Sequence, residues 1–195
     1  MFEKTSEKIT NAIAQNGTIK AEDKELYKYG IQQGMMILLN LCTTLIIGAV
    51  FKMVWQSILF TAAYIPIRSY AGGYHSKTPQ RCYIFSILMI IAVLWGMKYF
   101  NNTYFICIAL LVFASIIILL LSPVEDKNKP LDKLEKRIYK KRTLIILGIE
   151  VLIILLFLVI DILSISFCMV IALFSLSIML VLGRIKIALS NSIEN

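Results

Sequence analysis

Thr143-Leu144-Ile145-Ile146-Leu147-Gly148-Ile149-Glu150-Val151-Leu152-Ile153-Ile154-Leu155-Leu156-Phe157-Leu158-Val159-Ile160 is a run in which only Thr143, Gly148 and Glu150 interrupt large apolar residues. Lys140-Lys141-Arg142 stands directly before it. As a helix the run covers about 27 Å at ~1.5 Å per residue, close to the thickness of a bilayer's hydrocarbon core. Buried strands are much shorter. The run therefore reads as a membrane-spanning helix with a cationic flank.

Outward from this stretch, five more apolar runs appear, at 31–51, 53–67, 82–97, 103–121 and 162–182. The run at 53–67 is short and holds Pro66; the run at 82–97 is also short. A four-span arrangement, in which these two do not cross, is the alternative to six spans. The 195-residue chain is 58% hydrophobic and only 16% charged, with mean hydropathy +0.78. That balance excludes an ordinary soluble domain. The expected fold class is all-α: one polytopic membrane-embedded domain over residues 1–195, with about six transmembrane helices and both termini cytoplasmic.

Charge placement selects between the arrangements. The net charge is +8. With six spans and the N-terminus inside, eighteen of the twenty basic residues face the cytoplasm, and only Lys52 and Lys98 lie outside. The four-span arrangement would export Arg68, Lys77 and Arg81. The basic residues thus report topology, and no nucleic-acid partner is expected. Residues 1–30 form a cytoplasmic or interfacial segment. Phe2, Ile9 and Ile13 recur at helical spacing, so a short amphipathic helix on the membrane surface is expected, stopping at Asn16-Gly17. No secretory signal peptide is visible.

Four cysteines (Cys42, Cys82, Cys107, Cys168) and a single histidine give no metal-binding spacing. Free thiols, no metal and no cofactor are expected. The chemistry concentrates in the connection Arg68–Cys82, which holds the only histidine, a glycine pair and a cysteine at a helix start. In one continuous helix His75 and Cys82 would lie about 10 Å apart along the axis, whereas a base must approach to roughly 3 Å. The segment must bend, and Thr78-Pro79 supplies the bend, with Pro79 suited to the first turn of the next helix. There the helix dipole and Arg81 favour the Cys82 thiolate, with His75 as its base or ion-pair partner. Gly72 and Gly73 permit backbone geometries that aim N–H groups at an oxyanion, and Arg68 suits a carboxylate or a carbonyl oxygen. Ser69, Ser76 and Gln80 are candidates to orient the imidazole. Bland readings stand beside these: a packing cysteine, an interfacial histidine, an ordinary turn. Glu150 is costly in the membrane and should face the interior with a partner. A structural hydrogen bond is its first reading and substrate binding its second. The loop 123–142 is a lipid anchor or a docking surface for an acidic peptide.

The stretch Ile67-Arg68-Ser69-Tyr70-Ala71-Gly72-Gly73-Tyr74-His75-Ser76, with Cys82 seven residues after the histidine, resembles the signature of the accessory gene regulator B (AgrB) family. Ser122-Pro123-Val124-Glu125-Asp126-Lys127-Asn128-Lys129-Pro130 and the basic stretch after it resemble that family's second cytoplasmic loop. The resemblance implies a multi-pass cysteine endopeptidase of the bacterial cell membrane that acts in quorum sensing, with its active site at the cytoplasmic face. Cys82 is the implied nucleophile and His75 the implied base, while Arg68 and Gly73 match positions on which activity depends. The implied substrate is a short amphipathic precursor peptide with an acidic C-terminal tail, processed through a Cys thioester to a thiolactone or lactone. A homodimer in contact with membrane lipid is also implied. The rival readings are a small membrane transporter using Glu150 and a non-catalytic membrane partner.

Overall fold

The computed structural model describes residues 3–15, 19, 23–74, 78–99, 103–125 and 131–194, with the side chains of Pro79 and of 190–194 left aside. These residues form seven helices: α1 Glu3–Gln15, α2 Lys24–Phe51, α3 Val54–Ala71, α4 Pro79–Tyr99, α5 Tyr104–Leu121, α6 Lys133–Val159 and α7 Leu163–Glu194. Each of the six apolar runs is a helix. Five of them (α2, α4, α5, α6 and α7) are long and apolar enough to cross a membrane. The exception is α3, because Gln56, Ser57, Thr61, Tyr64, Arg68, Ser69 and Tyr70 dilute its apolar residues.

Nevertheless α3 runs the length of the bundle. At one end it turns tightly out of α2: Lys52 adopts φ 58° and donates its N–H to Ala49 O at 3.0 Å, and Met53 N–H reaches Gly48 O at 2.7 Å. The same end holds the α6–α7 turn, where Ile162 N–H bonds Phe157 O at 2.8 Å and Tyr104 donates to Asp161. At the other end Ala71 and Gly72 meet Val124, after α5, and Tyr74 meets Met179, midway along α7. Helices α2 to α7 therefore alternate in direction, so α2 begins and α7 finishes at the end that carries Cys82.

The core is built around α7, two-thirds of whose apolar window is buried. Cys168, Ala172, Leu173, Leu176 and Leu180 are completely enclosed by α3, α5 and α6. Helix α4 stands apart, packing chiefly on α2. Outward faces of α2, α4, α5 and α6 keep large aliphatic side chains exposed, as lipid-facing helices must.

Two boundaries and one buried face differ from the reading of the sequence. Helix α3 continues through Pro66 to Ala71, so Arg68, Ser69 and Tyr70 form its final turn rather than a loop. Helix α6 starts at Lys133, ten residues before its apolar run, on a capping box of Asp132 and Glu135. Charged side chains cost little on a helical turn outside hydrocarbon, so most of the basic 131–142 segment is helical. Finally, α1 forms as expected and stops at Gln15, but the face it buries is Ser6 and Thr10, while Ile9 remains exposed. Small hydroxyl side chains allow α1 to approach α2 closely. Its aliphatic face is left outward.

Candidate active site

Helix α4 opens at Pro79, where a missing N–H costs nothing. Thr78 precedes it; its hydroxyl accepts from Arg81 N–H at 3.4 Å and its carbonyl from Cys82 N–H at 3.2 Å. Cys82 thus lies in the first helical turn, with an exposed free thiol. This is the placement expected from Thr78-Pro79. His75 lies outside the described residues, as do Ser76 and Lys77; their neighbours Tyr74 and Thr78 are described.

Cys82 lines a cavity of about 320 Å³ between α2, α3, α4 and α7. Arg68, Ser69 and Tyr74 line it too, so the tertiary fold gathers residues 68, 69, 74 and 82 around one space. The cavity wall is otherwise mainly apolar. Phe85, Met89 and Met179 also border a second cavity of about 570 Å³, which runs between α4, α5 and α7 and whose only hydroxyl is Ser175.

The guanidinium of Arg68 bonds to its own chain: Nη1 donates to Gly72 O and Nη2 to Tyr74 O at 2.8 Å. It clamps the chain just before His75. The glycines are explained by the same close packing. Gly72 has φ 74°, and a Cβ there would meet Val124 O at 2.1 Å, because residues 72 and 124 form a parallel bridge with Val124 N–H on Ala71 O at 2.9 Å. Gly73 has φ 128° and lies against the Arg68 side chain. The N–H groups of Gly72 and Tyr74 donate to Arg68 O at 3.2 Å and Met179 O at 2.9 Å. Arg68, Gly72 and Gly73 are thus an internal brace that presents Tyr74 to the cavity.

The remaining candidates divide. The Ser69 hydroxyl donates to Ile65 O at 2.8 Å, and Gln80 is exposed in the opening turn of α4. Glu150 is buried on the stripe Thr143, Leu147, Glu150, Ile154 of α6, which contributes nothing to the Cys82 cavity. Its Oε2 has no hydrogen-bond partner among the described residues. Cys107 and Cys168 are fully buried packing residues, while Cys42 is exposed on α2.

The basic segment has a structural share. Lys140 Nζ bonds Ser122 O at 2.9 Å and also reaches Leu119 O, and Arg184 Nη2 bonds Leu121 O at 3.2 Å. Together they cap the negative end of α5. Arg142 lies 5.1 Å over the Tyr70 ring. Lys136 sits 2.5 Å from Glu125 and holds its carboxyl below the usual carboxylate range.

Residues not singled out from the sequence also belong to the site. Tyr64 lies one turn before Arg68 on the cavity face of α3, its ring stacked on Phe60 at 5.4 Å. Tyr74 packs against Phe85, with centroids 5.5 Å apart. Tyr83 and Thr43 share a hydrogen bond of 2.7 Å that ties the start of α4 to α2. A signal for Tyr64 was present: it stands four residues before Arg68, hence on the same helix face.

Residues 6–181 match the family model of Accessory gene regulator B. The chain is 31% identical over 169 residues to AgrB-like protein 2 of Clostridium perfringens (strain 13 / Type A), an alignment covering 80% of this chain and 79% of that one. It is 25% identical over 131 residues to accessory gene regulator protein B of Staphylococcus lugdunensis, covering 67% and 69%. No solved structure matches. The motif around Arg68, Gly73 and Cys82, the bundle of apolar helices and a family match over most of the chain agree: this protein belongs to the accessory gene regulator B family.

Proposed function

We propose that this chain, by family an accessory gene regulator of quorum sensing, is a membrane cysteine endopeptidase that trims and cyclises a signalling-peptide precursor. One observation carries the reading: Cys82 is an exposed thiol in the first turn of a helix, facing a largely apolar cavity braced by Arg68. A helix N-terminus favours the thiolate, which is the nucleophilic form. Apolar walls limit competing water.

The Cys82 sulfur attacks the carbonyl carbon at the junction between the precursor body and its acidic tail. As the tetrahedral adduct collapses, the C–N bond breaks, and protonated His75 gives its proton to the departing amine. A thioester to Cys82 remains. A Cys or Ser of the precursor then attacks that thioester and gives its proton to the neutral His75, which closes the ring and releases the Cys82 thiolate. The site end of the bundle faces the cytoplasm in this reading, because it carries the larger share of the basic residues. The precursor's amphipathic start rests on the membrane, and its acidic tail lies near the basic start of α6. The working unit is a homodimer.

The test is incubation of the purified protein in lipid vesicles with a peptide that has an amphipathic start, a central Cys and an acidic tail. Mass spectrometry should detect the free tail and an acyl adduct on Cys82. Cleavage by Cys82→Ala would disprove the assignment.

A further inference from the structure

An attacking thiolate turns a carbonyl oxygen into an oxyanion, and such a charge needs a hydrogen-bond donor aimed at it. The donors around the Cys82 cavity are mostly engaged elsewhere. The amides of Gly72 and Tyr74 hold the connection to α3 and α7. Thr61 donates to Ser57 O at 2.7 Å, Ser69 to Ile65 O at 2.8 Å and Asn40 Nδ2 to Met36 O at 3.0 Å. Both terminal nitrogens of Arg68 donate to main-chain carbonyls.

Tyr64 is different. It lies on the cavity wall one helical turn before Arg68, on the same helix face as that guanidinium, and lines the same cavity as Cys82. A guanidinium has no lone pair with which to accept. In any hydrogen bond between these two groups the Tyr64 oxygen is therefore the acceptor, which leaves its own proton for another partner. No hydrogen bond donated by the Tyr64 hydroxyl occurs among the described residues. Ser86, Thr44 and the Tyr74 hydroxyl reach the cavity as well, but none of them lies on a helix face one turn from a guanidinium.

We infer that Tyr64 is a catalytic residue whose hydroxyl donates a hydrogen bond to the carbonyl oxygen of the acyl group as Cys82 attacks it. The inference rests on the cysteine mechanism above and adds its oxyanion donor. Arg68 then has two tasks, bracing the chain at Gly72 and Tyr74 and orienting Tyr64.

The experiment uses the full chain in lipid vesicles and the probe N-acetyl-leucine p-nitrophenyl ester. The Cys82 sulfur adds to the ester carbonyl, the π pair moves onto oxygen, and p-nitrophenolate departs with its bonding pair as the carbonyl re-forms. No proton has to reach this leaving group, so the burst of p-nitrophenolate reports thioester formation with little demand on His75. Iodoacetamide alkylates the same sulfur at a saturated carbon and makes no oxyanion. Tyr64→Phe keeps the ring that stacks on Phe60; it should lower the acylation burst by about 100-fold and leave the alkylation rate unchanged. Tyr64→3-fluorotyrosine, which keeps a hydroxyl, should acylate like the parent. If Tyr64→Phe leaves acylation unchanged, or lowers acylation and alkylation in parallel, Tyr64 is not the donor. If the parent shows no burst beyond that of Cys82→Ser, the cysteine mechanism itself fails, and this inference with it.

Discussion

Helices α3 and α5 have the same length, 18 residues, and both pack against α7. Each buries a stripe at helical spacing: Ser57, Phe60, Ala63, Ile67 and Ala71 on α3, and Cys107, Leu111, Ala114 and Ile118 on α5. They differ on their other faces. Beyond its buried stripe α5 offers aliphatic and aromatic side chains suited to lipid, and Phe105 and Leu120 are among its most exposed. Helix α3 instead places Thr61, Tyr64 and Arg68 against a cavity shared with α2 and α4. What separates α3 from a purely packing helix here is a second inward face. That face also helps to leave α3 outside the five helices that are long and apolar enough to cross a membrane by composition.

The two cysteines give the strongest test of this contrast. Cys82→Ala should reduce precursor cleavage by at least ~10³-fold, as loss of a covalent nucleophile does in other enzymes. Cys107→Ala, on the buried stripe of α5, should leave turnover per folded molecule intact and lower only thermal stability. Assays of cleavage and unfolding on the same vesicle preparations separate the two effects. Equal loss of cleavage in both variants would erase the distinction.

Arg68→Lys comes next. Lysine keeps the charge but cannot bond Gly72 O and Tyr74 O with two nitrogens held in one plane. Losing one charge-assisted hydrogen bond of about 1.5–3 kcal/mol should lower thioester formation roughly 10- to 100-fold. Protease cutting between residues 72 and 78 should increase in parallel. Full activity in Arg68→Lys would show that the brace is not needed.

A pair of glycines probes the same contrast through stability. Gly72→Ala forces a Cβ to within 2.1 Å of Val124 O at φ 74°. Strain of this kind costs of order 1–3 kcal/mol, so the unfolding midpoint should fall. Gly148→Ala on α6 meets nothing within 4 Å. It should raise stability by roughly 0.5–1 kcal/mol, because alanine loses less backbone freedom in a helix. The smallest effect belongs to Glu125. Its carboxyl is held low by Lys136. The folded value lies below the unfolded one, so the ion pair stabilises fully above the unfolded value near ~4.3 and is lost as pH falls through the lowered folded value. Lys136→Ala should therefore cost less than about 1 kcal/mol at neutral pH, since the pair is largely exposed, and nothing in strong acid.

Much of this architecture was legible in the chain. Six apolar runs became six helices, because backbone groups in hydrocarbon must bond within their own segment. Thr78-Pro79 marked the start of α4, and hence the position of Cys82 in its first turn, because proline is stable there and leaves no amide unpaired. Helix ends were less legible. Arg68–Ala71 and Lys133–Arg142 are polar, so hydropathy assigned them to loops, yet they extend α3 and α6 beyond the apolar core. Pro66 did not end α3. The buried face of α1 was missed because Ser6 and Thr10 are small rather than apolar, and close approach between helices needs small side chains.

Taken by itself, the sequence determined the class of the protein, the number of helices and the one segment where a cysteine and the histidine stand close together along the chain. These follow from local periodicity and from the chemistry of single residues. Only the tertiary structure decided what surrounds Cys82. Gly72 pairs with Val124, the Tyr74 amide bonds to Met179 in α7, and Gly183 leaves the room that lets residues 73 and 74 lie on that helix. Tyr64, Arg68 and Cys82 reach one cavity from two helices. Such contacts join residues far apart along the chain through backbone atoms that every residue carries. No pattern of side chains announces them in advance.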